Sequence, residues 1–202
     1  MQDGLRQRKQ AHTRKSLTEA AVRLFEEQGF DDTTVEQIAE AVMVSRRTFH
    51  RYFGSKDEVI LAHEDEQFEL VLTALRARPP HESALQALQK ALTAPGGFGL
   101  RRNQRIQRLI NGNPALLAAN THRFLLREQA LAGCFAVRAG VDPERDPRPR
   151  MLAALALTAL RVALQEWISG GELTMSGYVT RVGQALGLLG RGLDLPGTTP
   201  HR

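Results

Sequence analysis

Apolar residues recur every three or four positions along most of this chain, which is the period of an amphipathic α-helix. One face of the first such segment carries Leu17, Ala20, Ala21, Leu24 and Phe25. No segment alternates apolar and polar residues as a half-buried strand does, and no segment repeats. The pattern therefore predicts an all-α fold.

Capping motifs and turn residues set the limits of the predicted helices. Thr34 with Gln37, or Thr33 with Glu36, has the form of a capping box, and Ser45 can cap the helix that follows. The later apolar segments are separated by stretches rich in Gly, Pro and Asn, which favour turns. These signals predict a first helix that ends at Gly29 and further helices over about 34–42, 45–53, 56–78, 82–94, 100–110, 114–139, 149–169 and 174–191.

The helices predicted over 34–42 and 45–53, joined by a turn of about three residues, have the dimensions of a helix-turn-helix. In that motif the N-terminal residues of the second helix reach base edges in the major groove of DNA. The outer face of the second helix here carries Ser45, Arg46, Arg47, Thr48, His50 and Arg51. Its opposite face carries Phe49, Tyr52 and Phe53, which we expect to pack on Leu24, Phe25 and Ile38.

The chemistry of the outer face favours DNA reading. Arginine is the residue best suited to bidentate contact with guanine, so Arg46 and Arg47 are the candidates for base contacts. Thr48 can bond a phosphate or meet a thymine methyl group, and Lys56 lies at a helix start, where phosphate is favoured. The alternative is an ordinary solvated basic face, against which the caps, the separate faces and the turn length all weigh.

The overall charge adds little to this interpretation. The net charge of +5 and the isoelectric point near 10.0 suggest an anionic partner. The first 56 residues, however, hold 10 Lys and Arg against 8 Asp and Glu, a balance of only +2. The placement of the arginines on one helix face is therefore better evidence than their sum.

Met43 lies where a tight turn between the two helices is needed, and such turns usually use glycine. If Met43 adopts a left-handed backbone conformation, it carries a strain of roughly 1 to 2 kcal/mol. Otherwise the first helix runs one residue further, the turn closes differently, and the Met43 side chain packs as an adaptable plug.

Residues 13 to 60 carry a longer pattern: Gly29-Phe30 after an apolar helix, then Thr-Thr-Val, Ile-Ala, Val-Ser, Thr-Phe, Tyr-Phe and Ser-Lys. In this the segment resembles the DNA-binding domain of TetR-family transcriptional regulators. By position, the residues that match the family's DNA contacts are Thr34, Arg46, Arg47, Thr48, His50, Arg51, Tyr52 and Lys56. His50 stands where the family often has tyrosine, and Arg51 where it often has histidine or another aromatic residue, so the operator cannot be inferred from a relative.

The resemblance also implies a domain organisation. It predicts a DNA-binding domain over 13–60 and a helical effector-binding and dimerisation domain over 61–194. The two ends of the chain are expected to be a flexible basic arm over 1–12 and a loose tail over 195–202. In the family the last two long helices form the homodimer interface, and a small-molecule pocket lies in the C-terminal domain. The expected function is therefore a ligand-responsive repressor that binds a palindromic operator as a homodimer.

The helix predicted over 149–169 is apolar nearly all round, which indicates burial by its own core and by a partner subunit, or burial within one chain. The last helix carries Gly183, Gly187 and Gly190, which a close helix approach would explain. The candidate dimer residues of the two helices are Leu155, Leu160, Val162, Val182, Leu186 and Leu189.

The effector is expected to be largely apolar. The candidate pocket walls are Phe68, Leu72, Phe98, Phe124 and Trp167, each of which is also an ordinary core residue in the simpler interpretation. Arg101, Arg105 and Arg108 share a helix face that can meet an anionic group of such a ligand, although a solvated face is the commoner arrangement.

Other functional classes find little support in the sequence. There is no nucleophile with its base and no metal-binding cluster, so neither enzymatic activity nor a cofactor is expected. His63 and Glu66 lie one turn apart but lack a third metal ligand. A single cysteine, Cys134, and an N-terminus without an apolar signal segment predict a cytoplasmic protein without a membrane partner. A DNA-binding protein without an effector, or an activator, stays an alternative.

Overall fold

The structure is a computed structural model that describes residues 2–93, 100–169 and 174–192. The described residues form α-helices and no strand, which confirms the predicted all-α fold. The helices are α1 Gln2–Gln28, α2 Val35–Glu40, α3 Arg46–His50, α4 Lys56–Arg76, α5 Ala84–Leu92, α6 Leu100–Gly112, α7 Pro114–Ala139, α8 Arg148–Ser169 and α9 Met175–Arg191.

The chain divides into two compact units. The head unit comprises Met1–Glu69 and Gly99–Leu125, and the C-terminal unit comprises Leu70–Phe98 and Leu126–Arg202. α4 and α7 each begin in the head unit and end in the C-terminal unit. The head unit is thus larger than the predicted 13–60 segment, since it also holds α6 and the first half of α7.

The core of the head unit is built from the apolar faces of α1 to α4 and α6. Fully or almost fully buried side chains from the first four helices, and from the segment between α3 and α4, include Leu17, Phe25, Ile38, Phe49, Phe53 and Ile60. Ile106 and Ile110 of α6 complete this cluster and are 0% exposed. A helix that lies far along the sequence therefore helps to hold α2 and α3 in place.

The N-terminal arm predicted to be flexible over residues 1–12 is helical in the structure, because α1 begins at Gln2. The side chains of residues 8 to 12 are exposed, so this part of α1 gains little from packing. Gln, Arg, Lys and Ala are strong helix formers, and they continue the helix outward from its packed part.

α8 and α9 pack against each other in the C-terminal unit. The inner face of α8 is lined by small residues, Ala153, Ala156 and Ala163, and by Leu157 and Trp167. Gly183 and Gly190 of α9 lie against α5 rather than α8. A Cβ atom on Gly183 would lie 3.0 Å from the side chain of Gln89 in α5, and one on Gly190 would lie 3.9 Å from Leu85. The close approach predicted from the glycines is therefore made with α5 at Gly183 alone, because the contact at Gly190 is an ordinary one and the side chain nearest Gly187 is that of Arg191 in α9 itself.

A charged cluster joins the segment after α4 to α5 and α7. The carboxylate of Glu82, only 7% exposed, accepts hydrogen bonds from Arg78 Nε at 2.8 Å and from Lys90 Nζ at 2.7 Å. These bonds, that from Arg78 first, lower the pKa of Glu82 to about 2. Arg138 of α7 donates to the backbone carbonyls of Glu82, at 3.0 Å, and of Pro79.

Candidate nucleic-acid interface

The start of α2 is fixed by a capping box in the first of the two predicted registers. The hydroxyl of Thr34 accepts from the amide of Gln37 at 3.2 Å, and Oε1 of Gln37 accepts from the amide of Thr34 at 2.8 Å. Thr33 has a different role, because its buried hydroxyl donates to the carbonyl of Gly29 at 2.7 Å. Thr34 is therefore exposed at the start of α2, as its predicted contact with DNA requires.

α3 is capped by Ser45, whose Oγ accepts from the amide of Thr48 at 3.1 Å. The two hydroxyl groups, Ser45 Oγ and Thr48 Oγ1, also lie 2.9 Å apart. The inward face of the segment places Phe49 and Phe53 in the head core. Its outward face leaves four basic side chains exposed, those of Arg46, Arg47, His50 and Arg51. The predicted separation of an exposed basic face from a core face is thus present in the structure.

The turn between α2 and α3 keeps a left-handed residue, and that residue is Met43, with φ of 56°. The amide of Met43 donates to the carbonyl of Glu40 at 2.9 Å, and the amide of Val44 donates to the carbonyl of Ala39 at 3.0 Å. This pair of bonds is a Schellman cap with Met43 in the position that favours glycine. The Met43 side chain is 94% exposed, so the alternative in which it packs as a plug is wrong.

Arg46, the first residue of α3, is held by two neighbours. Its Nη1 lies 2.8 Å from Oε1 of Glu36 in α2, and its Nε lies 3.5 Å from Nε2 of His50. The guanidinium of Arg51 lies over the Tyr52 ring, 5.2 Å from the centroid. The contact with Glu36 was not predicted, because no spacing rule joins the start of one helix to the start of the next.

Arg14 of α1 is a second residue that sequence reasoning missed. Its Nη1 donates to the carbonyl of Tyr52 at 3.0 Å, and its Nε contacts Glu66 of α4 at 2.6 Å. The guanidinium also lies over the ring of Phe53, 4.4 Å from the centroid. Arg14 therefore fixes the end of the α3 segment, through partners that lie 38 and 52 residues away in the sequence.

Lys56, predicted to contact phosphate, has its ammonium group among three backbone carbonyls. Its Nζ donates to the carbonyls of Phe30 at 2.6 Å, Asp31 at 3.0 Å and Thr33 at 3.0 Å. It also lies over the Phe30 ring, 4.5 Å from the centroid. An ammonium group has three N–H donors, so Lys56 ties the loop that precedes α2 to the start of α4. Its phosphate contact stays a prediction.

The predicted pocket residues lie in two different units. Phe68 and Phe124 are half-buried in the head unit, and Leu72 is fully buried in the C-terminal unit. Trp167, also in the C-terminal unit, is 2% exposed and donates its indole N–H to the carbonyl of Thr174 at 3.2 Å. Phe98 lies outside the described residues. The assignment of these residues to a pocket stays a prediction.

The C-terminal unit also contains an open groove of about 660 Å³ between the end of α4 and the second half of α7. Its apolar lining includes Leu75, Ala130, Cys134 and Val137, with Arg78 and Arg138 beside them. Cys134 is half-buried there, and Val137 is 85% exposed. None of the predicted pocket residues lines this groove.

The predicted anion-binding face of α6 is partly engaged. Nε of Arg105 lies 3.0 Å from Oε1 of Glu26 in α1, so this arginine links α6 to α1 within the head unit. Arg108 is exposed, and the side chains of Arg101 and Arg102 lie outside the described ones. His63 is buried, and within the ranges that the structure describes no group of three His, Cys, Asp or Glu side chains could hold a metal ion.

The predicted dimer residues divide by exposure. Val182 and Leu186 are buried within the chain, and Leu160 and Leu189 are partly buried. Leu155 and Val162 of α8 are 47% and 40% exposed. Met151 of α8 and Leu188 of α9 are also exposed, at 60% and 50%. By length and composition alone α8 could also cross a membrane, with a mean hydropathy of 1.4 over its most apolar 18 residues.

Comparison with known proteins agrees with this arrangement. Residues 17–63 match the sequence profile of bacterial regulatory proteins of the tetR family, and residues 79–194 match the profile of the MftR C-terminal domain. The HTH-type transcriptional regulator TcmR of Streptomyces glaucescens is 42% identical over 81% of this chain and 76% of its own length. The transcriptional regulator MftR of Mycobacterium tuberculosis is 25% identical over 93% of this chain and 94% of its own length.

A solved structure shows the same fold. The TetR-family repressor FadR of Thermus thermophilus, in complex with lauroyl-CoA, aligns with a TM-score of 0.51 and 23% identity over 94% of this chain and 98% of that one. These relatives are transcriptional regulators and not enzymes. With a helix-turn-helix head and family matches over both parts of the sequence, the chain belongs to the TetR family of transcriptional regulators.

Proposed function

We propose that this regulator is a ligand-responsive repressor that binds a palindromic operator as a homodimer in the cytoplasm. The observation that carries the proposal is the geometry of α3. Its N-terminus is capped by Ser45, its apolar face is anchored by Phe49 with Phe53 just beyond its end, and Arg46 and Arg47 are exposed in its first turn. A helix held in this way can enter the major groove without losing its own packing.

Each exposed residue of this surface has a proposed role. Arg46 and Arg47 contact guanine O6 and N7, and Thr48 contacts a phosphate or a thymine methyl group. The flanking residues Thr34, Ser45, His50, Arg51 and Tyr52 contact the phosphate backbone and fix the register of α3, whereas Lys56 holds the loop before α2 in place. Phosphate contacts give affinity and salt dependence, whereas the two arginines give sequence discrimination.

The homodimer is proposed from the outward face of α8 and α9. Met151, Leu155 and Val162 follow one another at helical spacing on α8, and Leu188 lies on α9. A shallow groove of about 360 Å³ between the two helices is lined by Val162 and Leu188 together with Glu166 and Arg181. A second copy seated on this face would cover the exposed apolar groups, and it accounts for the composition of α8 without a membrane.

The proposed effector is largely apolar, with or without an anionic group. The lauroyl-CoA bound to FadR is an example of such a ligand on this fold. α4 runs through both units, and we propose that it transmits the effect of effector binding to the DNA-binding head. This transmission requires the effector to bind two conformations of the protein, one that binds DNA and one that does not, with different affinity. Trp167 is the sole tryptophan of the chain, so its fluorescence reports directly on a ligand that contacts it.

A selection of bound DNA from a random pool tests the proposal. A palindrome bound by two copies of the chain is the expected result. Enrichment of a motif without two-fold symmetry would contradict the homodimer, although not DNA reading itself. Acyl and other apolar ligands should then release the selected duplex and raise the thermal stability of the protein.

The second candidate function is an effector-independent or activating regulator of the same fold. It is favoured by the separation of the predicted pocket residues between two units. A ligand screen in which no apolar or acyl compound changes the thermal stability or the Trp167 emission would support this candidate.

A further inference from the structure

A carboxylate lies on the face of the head unit that we propose to meet DNA. Glu36 is the second residue of α2, and its side chain is 50% exposed. Its Oε1 contacts Nη1 of Arg46 at 2.8 Å, across the turn that separates the two helices. Since DNA presents a polyanion to this surface, a carboxylate there weakens binding unless it has a compensating role.

The contact with Glu36 restricts the Arg46 side chain. Nε of the same guanidinium donates to Nε2 of His50, one turn along α3, at 3.5 Å. Arg46 is 67% exposed, and without these two neighbours its long side chain would sample many rotamers. An ion pair as exposed as this one contributes little to folding stability, so its main effect is on the orientation of the guanidinium.

The remaining donors of Arg46 suit a base edge. A guanidinium carries five N–H groups, of which one on Nη1 and the one on Nε are engaged by Glu36 and His50. Three N–H groups on Nη1 and Nη2 remain, enough for bidentate contact with guanine O6 and N7. The carboxylate also offsets the charge of Arg46, which reduces its attraction to phosphates of any sequence.

We propose that Glu36 is a specificity-determining residue that positions Arg46 for a base edge and lowers the affinity of the head for non-specific DNA. This inference rests on the proposed function, because it requires Arg46 to read a base. Removal of the carboxylate frees Arg46 to contact phosphates. Non-specific affinity then rises, its salt dependence steepens by about one released counterion, and discrimination at one base position falls.

The test compares full-length wild type, Glu36→Gln, Arg46→Ala and the double variant. Glu40→Gln is the matched control, because Glu40 is exposed on the same helix and has no ion-pair partner within the described residues. Anisotropy titrations measure affinity for the duplex selected from a random pool and for duplexes with single base-pair changes. Thermal unfolding of each variant confirms that the head remains folded.

We expect Glu36→Gln to lower discrimination roughly tenfold at the base pair that Arg46→Ala also affects, within the range that one bidentate contact provides. Glu40→Gln should change non-specific affinity without that loss. In the Arg46→Ala background, Glu36→Gln should have no effect on discrimination.

Two results would overturn the inference. If Glu36→Gln retained the discrimination of wild type, as Glu40→Gln is expected to do, Glu36 would not position Arg46. Alternatively, Glu36→Gln could reduce discrimination even without Arg46, which would make Glu36 a base reader itself. If instead Arg46→Ala changed discrimination at no position, the proposed reading role of Arg46 would fail, a result distinguishable from the other two.

Discussion

Nζ of Lys56, at the start of α4, lies 2.6 Å from the carbonyl oxygen of Phe30 and 4.5 Å from the centroid of the Phe30 ring. Together with its bonds to Asp31 and Thr33, this contact ties the loop before α2 to α4. The position of Thr34, the first residue of the proposed DNA surface, therefore depends on Lys56.

We expect Lys56→Met to lower the free energy of unfolding by about 2 kcal/mol, because a methionine keeps much of the apolar stem but leaves three carbonyls without their charged donor. Chemical denaturation measures the change, with Lys9→Met on the exposed part of α1 as the control. An unchanged unfolding free energy together with a weaker salt dependence of DNA binding would instead assign Lys56 to phosphate contact.

Met43→Gly should stabilise the protein by about 1 kcal/mol, since glycine tolerates the left-handed conformation that strains methionine. The side chain of Met43 is 94% exposed, so its removal costs little packing. Gly140 is the natural comparison, because it has φ of 65° in the same kind of cap at the end of α7. Gly140→Ala should therefore destabilise the protein. A Met43→Gly protein that is no more stable than wild type would show that Met43 does not carry the backbone strain argued for it.

Val162→Arg should weaken the proposed dimer by at least tenfold, because it places a charge beside Leu188, where the exposed apolar residues of α8 and α9 meet. Sedimentation velocity over a range of protein concentrations measures the effect. Val137→Arg is the matched control, since Val137 is a more exposed valine on α7. Dimerisation that survives Val162→Arg but not Val137→Arg would move the interface away from α8 and α9.

Acid should reduce stability in part through Glu82. Hydrogen bonds from Arg78 and Lys90 hold its pKa at about 2 in the folded chain, below the ordinary value of 4.5. A carboxylate whose pKa is depressed by folding stabilises the protein above its unfolded pKa. This contribution should therefore be full above about pH 4.5 and disappear as the pH falls towards 2. Denaturation at pH 7, 4 and 3 measures the free energy of unfolding. As the pH falls, this free energy should decrease less in Glu82→Gln than in Glu144→Gln, the control, in which the substituted residue is exposed.

Local sequence signals predicted most of the secondary structure. The prediction of a helix over 114–139 agrees with α7, and the caps at Thr34 and Ser45 were found in the predicted positions. Both are short-range features, because a cap joins residues three positions apart. The left-handed turn at Met43 was one of two alternatives, and only the backbone angle could decide between them.

Contacts between distant segments could not be predicted in this way. Arg14 reaches Tyr52, and Arg105 of α6 reaches Glu26 of α1 across 79 residues. The burial of Ile106 and Ile110 in the head core likewise depends on the path of the chain between α4 and α6. For the candidate site, local signals therefore predicted the exposed basic face, but not the contact of Glu36 with Arg46 or that of Arg14 with Tyr52.

The central claim is that α3 reads DNA sequence through its exposed arginines. Selection from a random pool by wild type, Arg46→Ala and Arg108→Ala tests it most directly, because Arg108 is an exposed arginine of α6 whose removal changes the charge equally. Wild type and Arg108→Ala should enrich the same palindrome, and Arg46→Ala should lose preference at one base pair in each half-site. Enrichment of an unaltered motif by Arg46→Ala, or of no motif by wild type, would contradict the account.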